Sequence, residues 1–182
     1  SGHGSSQRDR NGDELDGMDE CLVPADCYTN GMITDDELRK SWADRIKRPV
    51  VGLALMDCCH SGSIFDLPWL GTLSEYDDKL VRWSAEGSSS APSDRIIIAI
   101  SGCADPQTSA DAWDDKKRVP AGAFTTALRE ATDNGRVLRT KPILAIFADC
   151  VNYMKAHGYT QRPRLNSSIK LYPTDTLNSL SA

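Results

Sequence analysis

Residues 49–56, Pro-Val-Val-Gly-Leu-Ala-Leu-Met, carry no charge and show no alternation of apolar with polar positions. Such a run reads as a strand covered on both faces, so the chain is expected to be an α/β protein with helices on either side of a sheet. Asp57-Cys58-Cys59-His60-Ser61-Gly62-Ser63 then ends the run abruptly. The carboxyl end of a strand in an open parallel sheet is where the backbone turns away and leaves a crevice, so a thiol placed there faces substrate. Neighbouring strand residues point to opposite faces, which lets at most one of Cys58 and Cys59 reach a given crevice.

The rest of the chain divides around that strand. Ile96, Ile97, Ile98 and Ile100 mark a second buried strand over 95–101. A helix is expected from Asp35 to Lys47, with Leu38, Trp42 and Ile46 on one stripe and Pro49 beyond its end. Two more are expected over 122–131 and 143–156, the latter opened by Pro142 and closed by Gly158, and Ile169 to Tyr172 reads as a short terminal strand. Residues 5–30, polar and acidic with several glycines, read as a solvated loop. Gly71, Gly87, Ser88-Ser89-Ser90 and Pro92 give 71–94 the composition of a flexible linker between halves 1–70 and 95–182, and Asp114 to Arg118 reads as a charged excursion. All of this fits one domain.

With 182 residues, 40% hydrophobic and 26% charged, the chain has the balance of an ordinary globule. A formal net charge of −5 gives no electrostatic reason to expect nucleic acid. No stretch approaches the ~20 apolar residues that span a bilayer, and no signal peptide is visible. The six cysteines lack the density of a small secreted scaffold, which favours a reducing, cytoplasmic setting. Cys21, Cys27, Cys58, Cys59 and His60 show no zinc-finger spacing.

Chemistry enters through a pairing. His3 lies between Gly2 and Gly4, more than fifty residues before the cysteine motif, and a cysteine nucleophile with a distant histidine is the chain order of caspase-like proteases. Ser-Gly-His-Gly and Asp-Cys-Cys-His-Ser-Gly, followed by Ser101-Gly102-Cys103-Ala104-Asp105-Pro106, resemble the metacaspases, and the blocks occur in that family's order. The resemblance implies a three-layer caspase-like fold with a mostly parallel central sheet flanked by helices. It implies Cys59 as nucleophile and His3 as its acid/base partner, acting through a thioester, with the backbone N–H groups of Cys59 and Gly4 as oxyanion donors. Residue 1 falls inside a motif, and the strands that the family carries before it either precede this sequence, come from elsewhere, or are lacking in a catalytically compromised protein.

Asp57, two residues before Cys59, lies on the same side of the strand and would favour a substrate Arg or Lys, Arg by a bidentate bond. The alternative is a strand-end cap. The resemblance adds the Ser1 hydroxyl to this pocket. It also implies an activating Ca²⁺ held by Asp19, Asp35, Asp36 and Asp66, although Thr34-Asp35-Asp36-Glu37 is equally a capping box whose acids suit a helix N-terminus. Lys79 and Arg82 are candidate autocleavage positions. The expected function is a calcium-dependent endopeptidase acting on polypeptides after Arg or Lys, as a monomer. Competing readings are a pseudo-protease that keeps the fold without a complete pocket, and a calcium-binding regulatory module.

Overall fold

The computed structural model describes residues 1–9, 12, 17–58, 64–86, 95–102, 111–114 and 119–182. Its centre is a five-stranded sheet of β4 (Val51–Met56), β7 (Ile96–Ser101), β10 (Arg164–Ser167), β5 (Trp69–Leu73) and β6 (Val81–Ala85), in that spatial order. A smaller sheet joins β1 (His3–Arg8), β2 (Met18–Val23) and β3 (Ile33–Thr34), and β8 (Asp111–Asp114) pairs with β9 (Val119–Gly122). The helices are α1 (Cys27–Asn30), α2 (Asp35–Ser41), α3 (Ala123–Ala131), α4 (Ile143–Ala156) and α5 (Leu177–Leu180), with a 3₁₀ turn at Ala43–Arg45.

The two apolar runs are neighbours. β4 and β7 pair in parallel from Val51↔Ile96 to Met56↔Ser101. Alternation along them then serves two cores. Ile96, Ile98 and Ile100 pack with Phe124, Phe147 and Met154 of α3 and α4, joined by Val51, Leu53 and Leu55. Ile97 and Ala99 face the other way, with Ala54 and Phe65, against Leu38, Trp42 and Ile46. A Cβ on Gly52 would stand 2.3 Å from Ile46 Cδ1 and 3.2 Å from Trp42, so the absence of a side chain lets these residues settle directly on β4. Arg95 fastens the same side, donating to Asp44 at 2.9 Å and to the carbonyl of Ala43 at 3.3 Å. Helices therefore flank the sheet on both faces, the layered α/β arrangement expected.

The expected parallel majority is corrected. Among the described residues of this sheet only β4 and β7 run parallel, while β7–β10, β10–β5 and β5–β6 are antiparallel. A parallel pair needs a long crossover, whereas β5 and β6 are joined by a short turn that forces the opposite direction. The linker expected over 71–94 is likewise corrected. Most of its first part is this hairpin, with Leu73, Val81 and Trp83 packed on the α3–α4 core; residues 87–94 lie outside the described residues.

Three further expectations shift. The acidic stretch expected as a loop over 5–30 contains the β1–β2 hairpin, in which Gln7 and Asp19 are cross-strand partners and Cys21 is fully buried. The terminal strand is Arg164–Ser167 rather than 169–172, and it is a central one. Polar side chains in and just after it are bonded in place: Asn166 donates to Glu86, Ser167 Oγ to the carbonyl of Ile97, and Ser168 Oγ to the carbonyl of Arg95. The helix at 35–47 stops at Ser41 and continues as the 3₁₀ turn. α3 and α4 occupy the expected spans almost to the residue.

Candidate active site

The carboxyl end of β4 gathers segments distant in sequence. Gly102 N donates to the carbonyl of Met56 at 2.9 Å, which brings the end of β7 alongside. Gly2 N donates to the carbonyl of Asp57 at 3.1 Å, so the segment carrying His3 is tied to the residue just ahead of the paired cysteines. His3 is exposed and opens β1, and Gly4 follows opposite Leu22; Ser1 is exposed beside the same bond. Cys58 is 3% exposed and turned to the interior. Cys59, with its backbone N–H, and residues 60–63 lie outside the described residues, as do 103–110 and 115–118.

The Asp57 side chain is 6% exposed. Its Oδ2 accepts two hydrogen bonds from one residue, Thr125, from the backbone N at 2.9 Å and from Oγ1 at 2.5 Å. Thr125 stands in the first turn of α3, whose N-cap, Gly122, has no side chain to offer. The sequence reading missed Thr125. Its signal was a helix start with no capping side chain of its own, which must find an acceptor elsewhere.

A second cluster forms where β2 meets α2. Asp35, 3% exposed, accepts from Asp36 N at 2.7 Å and from Glu20 N at 3.0 Å. Burial pushes its carboxyl up from 3.8 to about 6, with smaller upward contributions from Asp66 and Asp19, against the lowering effect of the two N–H donors. Asp19, Asp35 and Asp66 thus share one electrostatic environment. Asp36 reaches the other way to Lys40, at 3.3 Å, and Arg39 comes within 3.8 Å of Asp66. The capping box is also formed, with Glu37 N donating to Thr34 Oγ1 at 3.2 Å and Thr34 N to Glu37 Oε2 at 3.3 Å. No group of three or more His, Cys, Asp or Glu is arranged to hold a metal ion among the described residues.

Two buried thiols are excluded as nucleophiles. Burial and then the charges of Asp35, Asp19, Glu20 and Glu37 push Cys21 up to about 11, and burial pushes Cys150 up to about 12. Of the basic residues singled out for autocleavage, Lys79 is exposed in the turn between β5 and β6, where its N donates to Asp77 Oδ1 at 2.9 Å. Arg82 lies within β6, paired with Thr72. Arg164, in β10 beside Ser101, joins Glu86; burial lowers its pKa and Glu20 opposes that shift. No helix among the described residues is long and apolar enough to cross a membrane.

The family described as metacaspase, peptidase C14 domain, matches residues 1–68. Metacaspase-1 of Arabidopsis thaliana is 39% identical over 141 residues, 73% of this chain and 37% of that protein. Metacaspase-2 of Trypanosoma brucei brucei is 32% identical over 183 residues, covering 92% of this chain and 49% of its own length. The chain belongs to the metacaspase family. The crystal structure of protein GSU0716 from Geobacter sulfurreducens superposes with a TM-score of 0.59 at 26% identity, over 95% of this metacaspase chain and 65% of that one. The chain spans between about a third and a half of the length of these two curated relatives.

Proposed function

We propose that this chain is the catalytic region of a cysteine endopeptidase that cleaves polypeptides after Arg or Lys. The observation that carries the reading is the hydrogen bond from Gly2 N to the Asp57 carbonyl, 3.1 Å. It ties the residue before His3 to the residue two positions before Cys59, and the chain is of metacaspase ancestry. A thiol with an ordinary pKa near 8.5 is mostly protonated at neutral pH, so Cys59 needs the imidazole of His3 as its base. The thiolate adds to the peptide carbonyl, the oxyanion is met by the N–H groups of Cys59 and Gly4, and His3 returns the proton to the leaving amine. Water then hydrolyses the thioester. Asp57, joined in this reading by the Ser1 hydroxyl, selects the basic side chain by charge.

Calcium would act as an activator by drawing Asp19, Asp35 and Asp66 together from positions that do not yet form a ligand group, with Asp36 joining after its bond to Lys40 opens. In support, the donor set is all carboxylate oxygen, which suits a hard ion, and Asp35 has a raised pKa among like charges. The ion's part is to neutralise these acids, while the bond chemistry belongs to Cys59 and His3. Self-cleavage would fall at Lys79 before Arg82, because a turn offers its backbone to a protease more readily than a paired strand does. A second reading, a fold kept without turnover, has one observation in its favour: Asp57 is nearly buried and already bonded to Thr125.

The test is a fluorogenic peptide ending in Arg, with and without millimolar calcium, on the full-length protein beside Cys59→Ala. Turnover that depends on calcium and disappears in the variant is the expected result. Turnover that survives Cys59→Ala removes the nucleophile, folded protein with neither turnover nor a calcium response selects the second reading, and a calcium-dependent rise in melting temperature without turnover selects a calcium-binding regulatory module.

A further inference from the structure

Asp57 is gripped by a residue sixty-eight positions away. Thr125 places both of its donors on one carboxylate oxygen, and the backbone at Gly122 comes close against it. A Cβ on Gly122 would stand 1.8 Å from Oδ2 and 2.4 Å from Cγ, so the carboxylate occupies the space in which any side chain at 122 would begin. On its other side a Cβ on Gly102 would meet Oδ1 at 3.4 Å. Two glycines and a threonine thus line the carboxylate, with both Thr125 donors on Oδ2.

A plain helix cap needs only the N–H bond. The hydroxyl adds a second bond to the same atom, and the next residue shows the usual alternative: Thr126 Oγ1 turns back along the helix to the carbonyl of Gly122, 3.2 Å away. We propose that Thr125 is a positioning residue for substrate selection, fixing the rotation of the Asp57 carboxylate so that it meets the basic side chain before the scissile bond in one geometry. This rests on the reading of Asp57 as the selective acid. A charged partner is bound best by an acceptor whose direction is set beforehand, because no ordering cost then falls on binding.

The experiment compares kcat/KM for two peptides, one with Arg and one with its neutral isostere citrulline before the scissile bond. Wild type, Thr125→Val, Thr125→Ser, Gly122→Ala and Asp57→Asn are each measured in the full-length protein. Thr125→Val should lower kcat/KM for the Arg peptide about tenfold, mainly through KM, and narrow the preference for Arg over citrulline by a similar factor. Thr125→Ser, which keeps the hydroxyl, should recover most of both. Gly122→Ala keeps both donors but displaces the carboxylate, and it should lose the same preference; it carries the test if Thr125→Val does not fold. An unchanged preference in a folded Thr125→Val or Gly122→Ala overturns the proposal, even if the melting temperature falls, since a purely structural cap would change stability alone. Asp57→Asn separates the two layers: preference lost there but kept in Thr125→Val sinks Thr125 only, whereas preference kept in Asp57→Asn sinks the pocket itself.

Discussion

Toward α3 and α4, β7 presents Ile96, Ile98 and Ile100; one residue out of step, toward α2, it presents Ile97 and Ala99. β4 repeats the contrast, with Val51, Leu53 and Leu55 on the first face and Gly52 and Ala54 on the second. The first face meets long helices over a continuous apolar layer that contains Phe124, Phe147 and Met154, each at most 1% exposed. The second is covered more thinly, by a seven-residue helix and a 3₁₀ turn, and the buried acids Asp19 and Asp35 lie on the elements at its margin. The larger apolar layer lies on one side of the sheet, and the buried acids Asp19 and Asp35 lie at the margin of the other. The two sides should therefore fail differently.

The largest expected effect is on the α4 side. Phe147→Ala should cost about 3–5 kcal/mol in chemical denaturation, by loss of burial and opening of a cavity. A cost below about 1 kcal/mol would mean that the long-helix face is not the main store of stability. Gly52→Ala tests the thinner face: the new methyl must displace Ile46 or Trp42, at an expected cost of about 1–3 kcal/mol. Far-ultraviolet dichroism against temperature would show it, and no change would mean that α2 rides loosely on β4.

Next comes pH. Asp35 holds its proton to about 6 in the folded chain, against an ordinary 3.8, so the native state binds that proton more tightly than the unfolded one. Its contribution to stability is full below about pH 4, falls as pH rises, and is gone above about 6, a loss of order 1–2 kcal/mol after screening. Calcium should raise the melting temperature above this window and have little effect below it, since the bound form requires the carboxylate. A calcium response that is absent at every pH would leave α2 capping as the acids' whole role. The smallest effect belongs to that cap: Thr34→Ala should cost about 1 kcal/mol, read as a shift in the denaturation midpoint.

The contrast between faces also explains what could be read beforehand. α4 was legible because Pro142, an apolar stretch and Gly158 all agree, and β4 and β7 because strands covered on both faces are apolar almost throughout, with Ser101 the one polar residue at the end of β7. The β1–β2 hairpin was hidden by its chemistry: Asp19 and Glu20 are buried carboxylates, and a composition of acids and glycines is that of a loop. β10 was hidden for the same reason, since Arg164, Asn166 and Ser167 are interior residues whose partners, Glu86 and Ile97, come from elsewhere in the chain. In the β5–β6 hairpin, Trp69, Leu73, Val81 and Trp83 were available as a signal, but Gly71 and the serines that follow outweighed it. At the site, the motifs marked His3, Asp57 and Cys59, whereas Thr125 acts across the fold and leaves no local pattern.

Strand order has a last consequence. β4, β5 and β6 come from residues before 87 and β7 and β10 from residues after 94, yet β7 and β10 sit between β4 and β5. The two halves are dovetailed. A single backbone break anywhere in 87–94 would leave both pieces locked by the β4–β7 and β10–β5 ladders and by the clasp of Glu86 on Arg164 and Asn166. A nicked molecule would run as two bands on a denaturing gel and migrate as one body under native conditions, and neither fragment made alone would have a sheet to complete.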